Sequence, residues 1–280
     1  MIPVFLIDDD IKKWLSEDIP YWDITTSLLP EEEAEGKIFT KQTGVVAGLF
    51  ILERIFSFVG AEFIPLVKDG TEVEDRIPIA SVKGKFHSIL QAERVSLNIL
   101  GRLSGIATKT AAMVKIAKEY NPKLRICGTR KVVPGLGKYD KYAITLGGGD
   151  THRFNLSDMI LLKENHLAAF ESITDAIKTA KERTSFSKKV EVEVQNEREA
   201  MEAAKAGADI IMLDNFTPEE VKHTIPKVKE FNSSALVEIS GNITLENLSD
   251  YSIKGVDLIS SGSLTHSVEN FDFSMLIEKK

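Results

Sequence analysis

LRICGT (124–129), MILLK (159–163), VEVEV (190–194), IIMLD (210–214), LVEIS (236–240) and DLISSG (257–262) are short apolar runs, each of the last five starting 20 to 35 residues after the one before. That spacing leaves room for one helix between successive strands, and the intervening stretches 173–183, 197–206 and 217–231 carry helical signatures. The last opens on Thr217-Pro218-Glu219-Glu220, a capping box with proline at the first helical position. Repeated strand-helix alternation implies a parallel sheet with right-handed crossovers. Every run ends in a polar or charged group: Thr129-Arg130-Lys131, Lys163, Glu193, Asp214, Ser240 and Ser261-Gly262. In an α/β barrel such ends converge on one mouth, whereas a doubly wound sheet spreads them along a line and usually carries a glycine-rich first turn. No GxGxxG follows a strand and no GxxxxGK[ST] occurs, which disfavours dinucleotide and Walker-type sites. Six units are fewer than the usual eight, so the pattern predicts an open, shortened, six-stranded α/β barrel.

Upstream, the first hundred residues read as mixed helix and strand. Asp8–Asp10 are expected to cap a helix running through Leu15, 35–52 reads as strand passing into an apolar helix, and 69–89 as small antiparallel strands broken by Gly70, Pro78 and Gly84. Apolar residues at helical spacing over 90–114 predict one long helix, or two in succession, linking two domains.

Composition narrows the function classes. At 280 residues, 43% hydrophobic and 28% charged, the chain has the make-up of a globular protein with about two ordinary domains, or one barrel with an appendage. The single Cys127, in an apolar run, reads as a packing residue rather than a nucleophile, and this cysteine usage fits a reducing cytoplasm. The terminus MIPVFLIDDD lacks a basic n-region, and the longest apolar stretch, VVAGLFIL (45–52), is far shorter than the ~20 residues a spanning helix needs; neither a signal peptide nor a membrane span is expected. A net charge of −7 argues against nucleic acid as a partner. Within 125–166, however, seven Lys/Arg stand against four acids. This is either a solvated face or a pocket for an anionic small molecule.

If the strand ends converge, Arg130, Lys131, Arg153 and Lys163 share the mouth with Glu193 and Asp214. Cations gathered in this way call for a ligand with several negative charges, carboxylate or phosphate. The two acids would then hold ribose hydroxyls or a hydrated Mg²⁺. Ser240-Gly241 and Ser260-Ser261-Gly262 each follow a strand and expose backbone N–H groups, as phosphate-binding turns do; Gly147-Gly148-Gly149 is a simple turn or a loop delivering His152 and Arg153. His87 and His223 read as surface groups. His152, His166 and His266 are open to either structural or anion-binding use, and no His/Cys spacing resembles a zinc site.

TRKVVPGLGKYDKYAITLGGGDTHR (129–153) with KENH (163–166), ERVSLNILGRLSGIAT (93–108), VEVEV, MLDNF (212–216), SGNIT (240–244) and SSGSLTH (260–266) closely resemble, in order, the quinolinate phosphoribosyltransferase family. The resemblance implies an N-terminal α/β sandwich over 1–108, with the tail 269–280 packing back on it, and the barrel over 109–268. It implies transfer of phosphoribose from phosphoribosyl pyrophosphate to quinolinate, giving nicotinate mononucleotide, pyrophosphate and CO₂ in NAD biosynthesis. Quinolinate contacts are expected at Arg130, His152, Arg153 and Lys163, with Lys131 near both substrates and Thr129 a further substrate-binding residue. Arg94 is expected to reach in from a partner subunit of a homodimer, itself a candidate building block for a hexamer of dimers. Phosphoribosyl contacts fall on Glu193, Asp214, Ser240, Gly241, Asn242, Ser261, Gly262, Ser263 and His266. Lys131, Lys163, Glu193 and Asp214 are the expected catalytic set, and Mg²⁺ is expected mainly on substrate phosphates, with Glu193 and Asp214 at hand. Asn242 stands where the family usually has a second glycine, Glu164 replaces a commoner Asp, and Phe154 a usual leucine. EDIPYWDITT (17–26) is closer to a paralogue encoded with molybdate-transport genes, although that paralogue typically lacks the equivalents of Lys163 and Arg94, both kept here. The alternatives are therefore that paralogue acting on another aromatic acid, a Schiff-base lyase using Lys163, and a non-catalytic anion-binding barrel.

Overall fold

The computed structural model describes residues 2–279, which fall into two compact units: 2–111 with 138–148 and 268–279, and 112–137 with 149–267. The first unit begins with α1 (Val4–Asp18), followed by β1 (Glu33–Thr40), β2 (Gly44–Val45), α2 (Leu49–Phe58), β3 (Glu62–Pro65), β4 (Glu72–Val73), β5 (Pro78–Lys85) and α3 (Phe86–Tyr120). The expected cap at Asp8–Asp10 is corrected: α1 starts at Val4, and the aspartates lie within it. Two of them have partners distant in sequence instead, Asp8 accepting from both Arg54 Nε and Nη2 at 3.0 and 2.8 Å and Asp10 from Lys138 Nζ at 2.5 Å and Tyr139 Oη at 2.9 Å. Region 90–114 is one continuous helix, α3.

Along β1 buried and exposed positions alternate, Ala34, Gly36, Ile38 and Thr40 facing in, the period of a half-buried strand. It pairs antiparallel with β5 on one side and with the last strand of the chain on the other. At the start of α2, Asp69 Oδ1 accepts the N–H groups of Gly48 and Leu49 at 2.7 and 2.9 Å, supplying the acceptor that the helix end lacks.

The second unit is built on β6 (Arg125–Cys127), β7 (Ile160–Leu162), β8 (Val190–Val194), β9 (Ile210–Asp214), β10 (Leu236–Ser240) and β11 (Leu258–Ser260). All six expected strands form, in the parallel order β6-β11-β10-β9-β8-β7. Between them, in chain order, run α4 (Gly137–Leu146, grouped with the first unit from Lys138 onward), α5 (Glu164–Leu167), α6 (Ile173–Arg183), α7 (Glu197–Lys205), α8 (Pro218–Phe231) and α9 (Leu248–Tyr251); α10 (Ser263–His266) and β12 (Phe273–Lys279) follow β11. The capping box at α8 is present, Thr217 Oγ1 accepting from Glu220 N at 3.3 Å and Glu220 Oε2 from Thr217 N at 2.8 Å.

The sheet curls. Asp150 bridges to Cys127 at the outer side of β6, so a flat sheet would set this segment five strand spacings, about 24 Å, from β8. His152 Nε2 nevertheless lies 3.0 Å from Glu238 Oε2 on β10 and 3.3 Å from Glu191 Oε2 on β8. Only a sheet rolled toward a barrel brings these side chains together. Among the described residues β6 and β7 do not pair, so the roll stays open. One end is plugged by Cys127, Ile210 and Leu258, with Met159 and Leu236 against them, which makes Cys127 a buried core residue.

α3 carries a glycine whose role is steric. A Cβ on Gly105 would overlap the Glu269 carbonyl oxygen, also in the first unit. Alanine normally stabilises a helix over glycine; here Gly105→Ala is expected to destabilise by about 2 kcal/mol through overpacking and to lower Tm by about 4–8 °C, measured by calorimetry.

Candidate active site

The strand ends of the second unit open into a cavity of about 660 Å³. Successive residues of a strand face opposite sides, so the inward positions near this mouth are Leu161 and Lys163 on and just beyond β7, Glu193 on β8, Met212 and Asp214 on β9, Glu238 and Ser240 on β10, and Ser260 and Gly262 on and just beyond β11. Of the residues singled out from sequence, Thr129, Arg130, Lys131, His152, Arg153, Lys163, Glu193, Asp214, Ser240, Gly241, Asn242, Gly262, Ser263 and His266 all line this one cavity. Ser261 does not: it is buried, its Oγ donating to Ile243 O at 2.7 Å, which braces the turn from behind. Arg94 lies exposed on α3 in the first unit, while every lining residue belongs to the second. Gly147–Gly149 are not part of the lining either.

The charge distribution is uneven in a way that matters chemically. Arg153 is only 9% exposed, and its guanidinium is pulled below its usual pKa first by burial, then by the charge of Arg130, against an opposing pull from Glu191. A buried guanidinium with the exposed Arg130 beside it makes a place where an anion is stabilised. Lys163 Nζ donates to Glu193 Oε2 at 2.5 Å, an ion pair across the tips of β7 and β8; a Schiff-base nucleophile would have to surrender it. Asp214 accepts from Asn215 Nδ2 at 2.7 Å. His166 Nδ1 accepts the Lys163 N–H at 3.0 Å, so this imidazole helps to fix the turn that presents Lys163.

Beneath the cations lies a group the sequence reading missed. Glu191 and Glu238 are fully buried, and their carboxylates and His152 Nε2 lie within 4.8 Å of one another. Ser260 Oγ donates to Glu238 Oε1 at 2.5 Å. Burial disfavours a charged His152, but the nearby acids Glu191 and Glu238 outweigh it and raise the affinity of the ring for protons. Opposing a second ring proton, the Arg153 N–H points at Nδ1 from 2.8 Å. A cationic ring would set N–H against N–H there, so we assign the neutral tautomer with its proton on Nε2, facing the acids. The alternation of VEVEV carried the signal for Glu191: if Glu193 faces the mouth, Glu191 must face the same interior one step deeper.

Burial, followed by the charge of Glu238, pushes Glu191 up from 4.5 to about 7. Between those values the folded state binds more protons than the unfolded state, so stability falls as pH rises through this window. Glu191→Gln has no such proton to lose. Its Tm is expected to gain on the wild type progressively from pH 4.5 to 7 and then to run parallel, a comparison read by thermal unfolding across pH.

The chain matches the models for the quinolinate phosphoribosyl transferase N-terminal domain over residues 23–104 and C-terminal domain over 106–276. It is 41% identical to a probable nicotinate-nucleotide pyrophosphorylase [carboxylating] of Archaeoglobus fulgidus, covering 92% of this chain and 99% of that one. Against the nicotinate-nucleotide pyrophosphorylase [carboxylating] of Dictyostelium discoideum the identity is 39%, over 100% and 98%. The crystal structure of NadC from Streptococcus pyogenes superposes with a TM-score of 0.94 at 39% identity, covering 100% of this chain and 99% of that one. With both domain models in succession and full-length relatives at this identity, the chain belongs to the quinolinate phosphoribosyltransferase family.

Proposed function

We propose that this protein is a quinolinate phosphoribosyltransferase, converting quinolinate and phosphoribosyl pyrophosphate to nicotinate mononucleotide, pyrophosphate and CO₂ in NAD biosynthesis. The observation that carries this reading is the single cavity in which Arg130, Lys131, Arg153 and Lys163 face Glu193 and Asp214 beside two serine-glycine turns. A dianionic aromatic acid and a polyphosphate sugar are the kind of pair such a divided charge pattern suits.

Arg130, Arg153 and Lys163 take the two carboxylates of the acid, with Thr129 and His152 at its edge, and so select which carboxylate sits beside the ring nitrogen. Arginine suits this task because its planar fork donates two parallel bonds. Glu193 and Asp214 lie on the sugar side, where departure of pyrophosphate from C1 builds positive charge that carboxylates stabilise. The turns at Ser240-Gly241-Asn242 and Ser261-Gly262-Ser263, with His266, receive the 5′-phosphate, and Lys131 stands between the two substrates. Holding both reactants in line supplies much of the acceleration. Once ribosylated, the ring nitrogen is cationic and stabilises, as an ylide, the electron pair left on the adjacent carbon when its carboxylate departs as CO₂; a proton from water then completes that carbon.

The donor set fits Mg²⁺. Glu193 and Asp214 are hard oxygen donors on adjacent strands at the cavity rim, and the one His/Asp/Glu cluster tight enough to enclose an ion among the described residues lies deeper in the same cavity. Two rim carboxylates suit a cation that completes its shell with phosphate and water. Bound with phosphoribosyl pyrophosphate, it supplies neutralising charge for the departing pyrophosphate. The same reading makes the enzyme a cytoplasmic homodimer, open to association into a hexamer of dimers. The exposed Arg94 on α3 supports a role for that residue in the partner's site.

Purified protein with phosphoribosyl pyrophosphate, Mg²⁺ and quinolinate is expected to release CO₂ and form nicotinate mononucleotide, with nicotinate a poor substitute. Lys163→Ala removes a charge-assisted contact, and should raise the KM for quinolinate about 10- to 100-fold. No turnover with either acid by a folded protein would sink the proposal. Trapping of a Lys163 adduct by borohydride with a carbonyl substrate would point to a lyase instead.

A further inference from the structure

Glu238 is assigned no step above, yet it is fully buried and hydrogen-bonded on both oxygens. We propose that Glu238 is a positioning residue for the pyridine-dicarboxylate half of the cavity, acting through His152 on Arg153. The proposal rests on the reading of that cavity as a quinolinate site.

A relay of hydrogen bonds carries it. Ser260 Oγ on β11 donates to Glu238 Oε1 and pins the carboxylate in one orientation. The other oxygen, Oε2, accepts His152 Nε2–H at 3.0 Å, which fixes the ring, and the fixed ring turns Nδ1 to the Arg153 N–H at 2.8 Å. On the other side, the His152 N–H donates to Asp150 Oδ1 at 2.8 Å. His152 sits at φ 52, a left-handed conformation that a non-glycine residue holds only when its surroundings impose it. The hydrogen bonds of its ring and backbone are what impose it here. The next residue is Arg153, whose guanidinium is buried beside Arg130, so the direction in which that cation enters the cavity depends on the turn at His152.

Glu191 does not share this role. It lies 3.3 Å from Nε2, but neither of its oxygens makes a hydrogen bond. A metal ion held by His152, Glu191 and Glu238 is also disfavoured. Coordination at Nε2 would move the ring proton to Nδ1, directly against the Arg153 N–H.

The test compares Glu238→Ala with Glu238→Gln in the full-length protein. Gln can place its carbonyl on His152 Nε2–H while its amide donates to Ser260 Oγ, so the relay survives without the charge. Glu238→Ala is expected to raise the quinolinate KM, and the quinolinate Kd by calorimetry, at least tenfold with the KM for phosphoribosyl pyrophosphate within twofold of wild type. Glu238→Gln should return both quinolinate constants to within threefold. Should Glu238→Ala fail to fold, Ser260→Ala, which frees the carboxylate but leaves it in place, is expected to raise the quinolinate KM three- to tenfold. Equal rises in both KM values, unchanged constants, or a Gln variant as impaired as the Ala variant would each overturn the assignment. Nitrogen-15 histidine NMR reads the relay without turnover, the His152 signals being identified by their loss in His152→Gln. In the wild type Nδ1 should appear as a lone-pair nitrogen, and Glu238→Ala or, should it not fold, Ser260→Ala should shift it. If wild-type protein neither binds nor turns over quinolinate, the functional reading falls by itself, and unchanged His152 shifts in the variant examined would overturn the relay separately.

Discussion

A buried guanidinium beside a second one is the constraint around which the site is organised. Arg153 is buried and is repelled by the exposed Arg130 beside it, and a buried guanidinium is stable only when anions are close. The protein supplies part of the compensation from below, where the acids Glu191 and Glu238 lie one layer deeper in the sheet. The remainder is left open toward the cavity, and that imbalance is what makes it attractive to an anionic ligand. Lys163, by contrast, is paired with Glu193, so the mouth is not uniformly positive but has a cationic side and an acidic one.

The curl of the sheet is what lets two layers of charge face each other. In a flat sheet, β8 and β10 would present Glu191 and Glu238 with another strand between them and well away from the segment carrying His152. Rolled up, the same strands put an apolar plug of Ile210, Leu258 and Cys127 at the bottom, buried polar groups above it, and the charged tips at the rim. The order follows from the two-residue period of each strand. Leu236, Glu238 and Ser240 point the same way and report, in turn, the apolar plug, the buried relay and the turn at the mouth.

Much of this was legible because it depends on periodicity and on strand ends. Six apolar runs at strand-helix spacing became six parallel strands, and the polar residue ending each run marked the cavity wall. What sequence could not supply were distances between strands that are not neighbours in the chain. His152 could be read only as a histidine before an arginine; its partners lie 39 and 86 positions away and meet it only after the sheet rolls. The error at α1 has the same origin. Three consecutive aspartates look like a helix cap locally, but Arg54 and Tyr139, distant in sequence, give Asp8 and Asp10 better partners inside the helix.

The turn after β10 shows how two functions of one residue type are separated. Gly241 has φ 104, and a Cβ there would overlap the Asn215 side chain, so both backbone angle and neighbour exclude any other residue. Asn242, at φ 51, also lies in the left-handed region, which asparagine tolerates better than most residues. Its neighbours hold it there: Asn247 Nδ2 donates to the Asn242 carbonyl at 3.0 Å, while Asn247 Oδ1 accepts the Thr244 N–H at 2.9 Å. The replacement of a familiar glycine by Asn242 therefore keeps the path of the turn. It adds an amide at the cavity rim, 3.5 Å from Asn215 Oδ1, and Asn215 in turn donates to Asp214. The loop and the acidic strand end are thus joined by side chains where glycine would leave them independent.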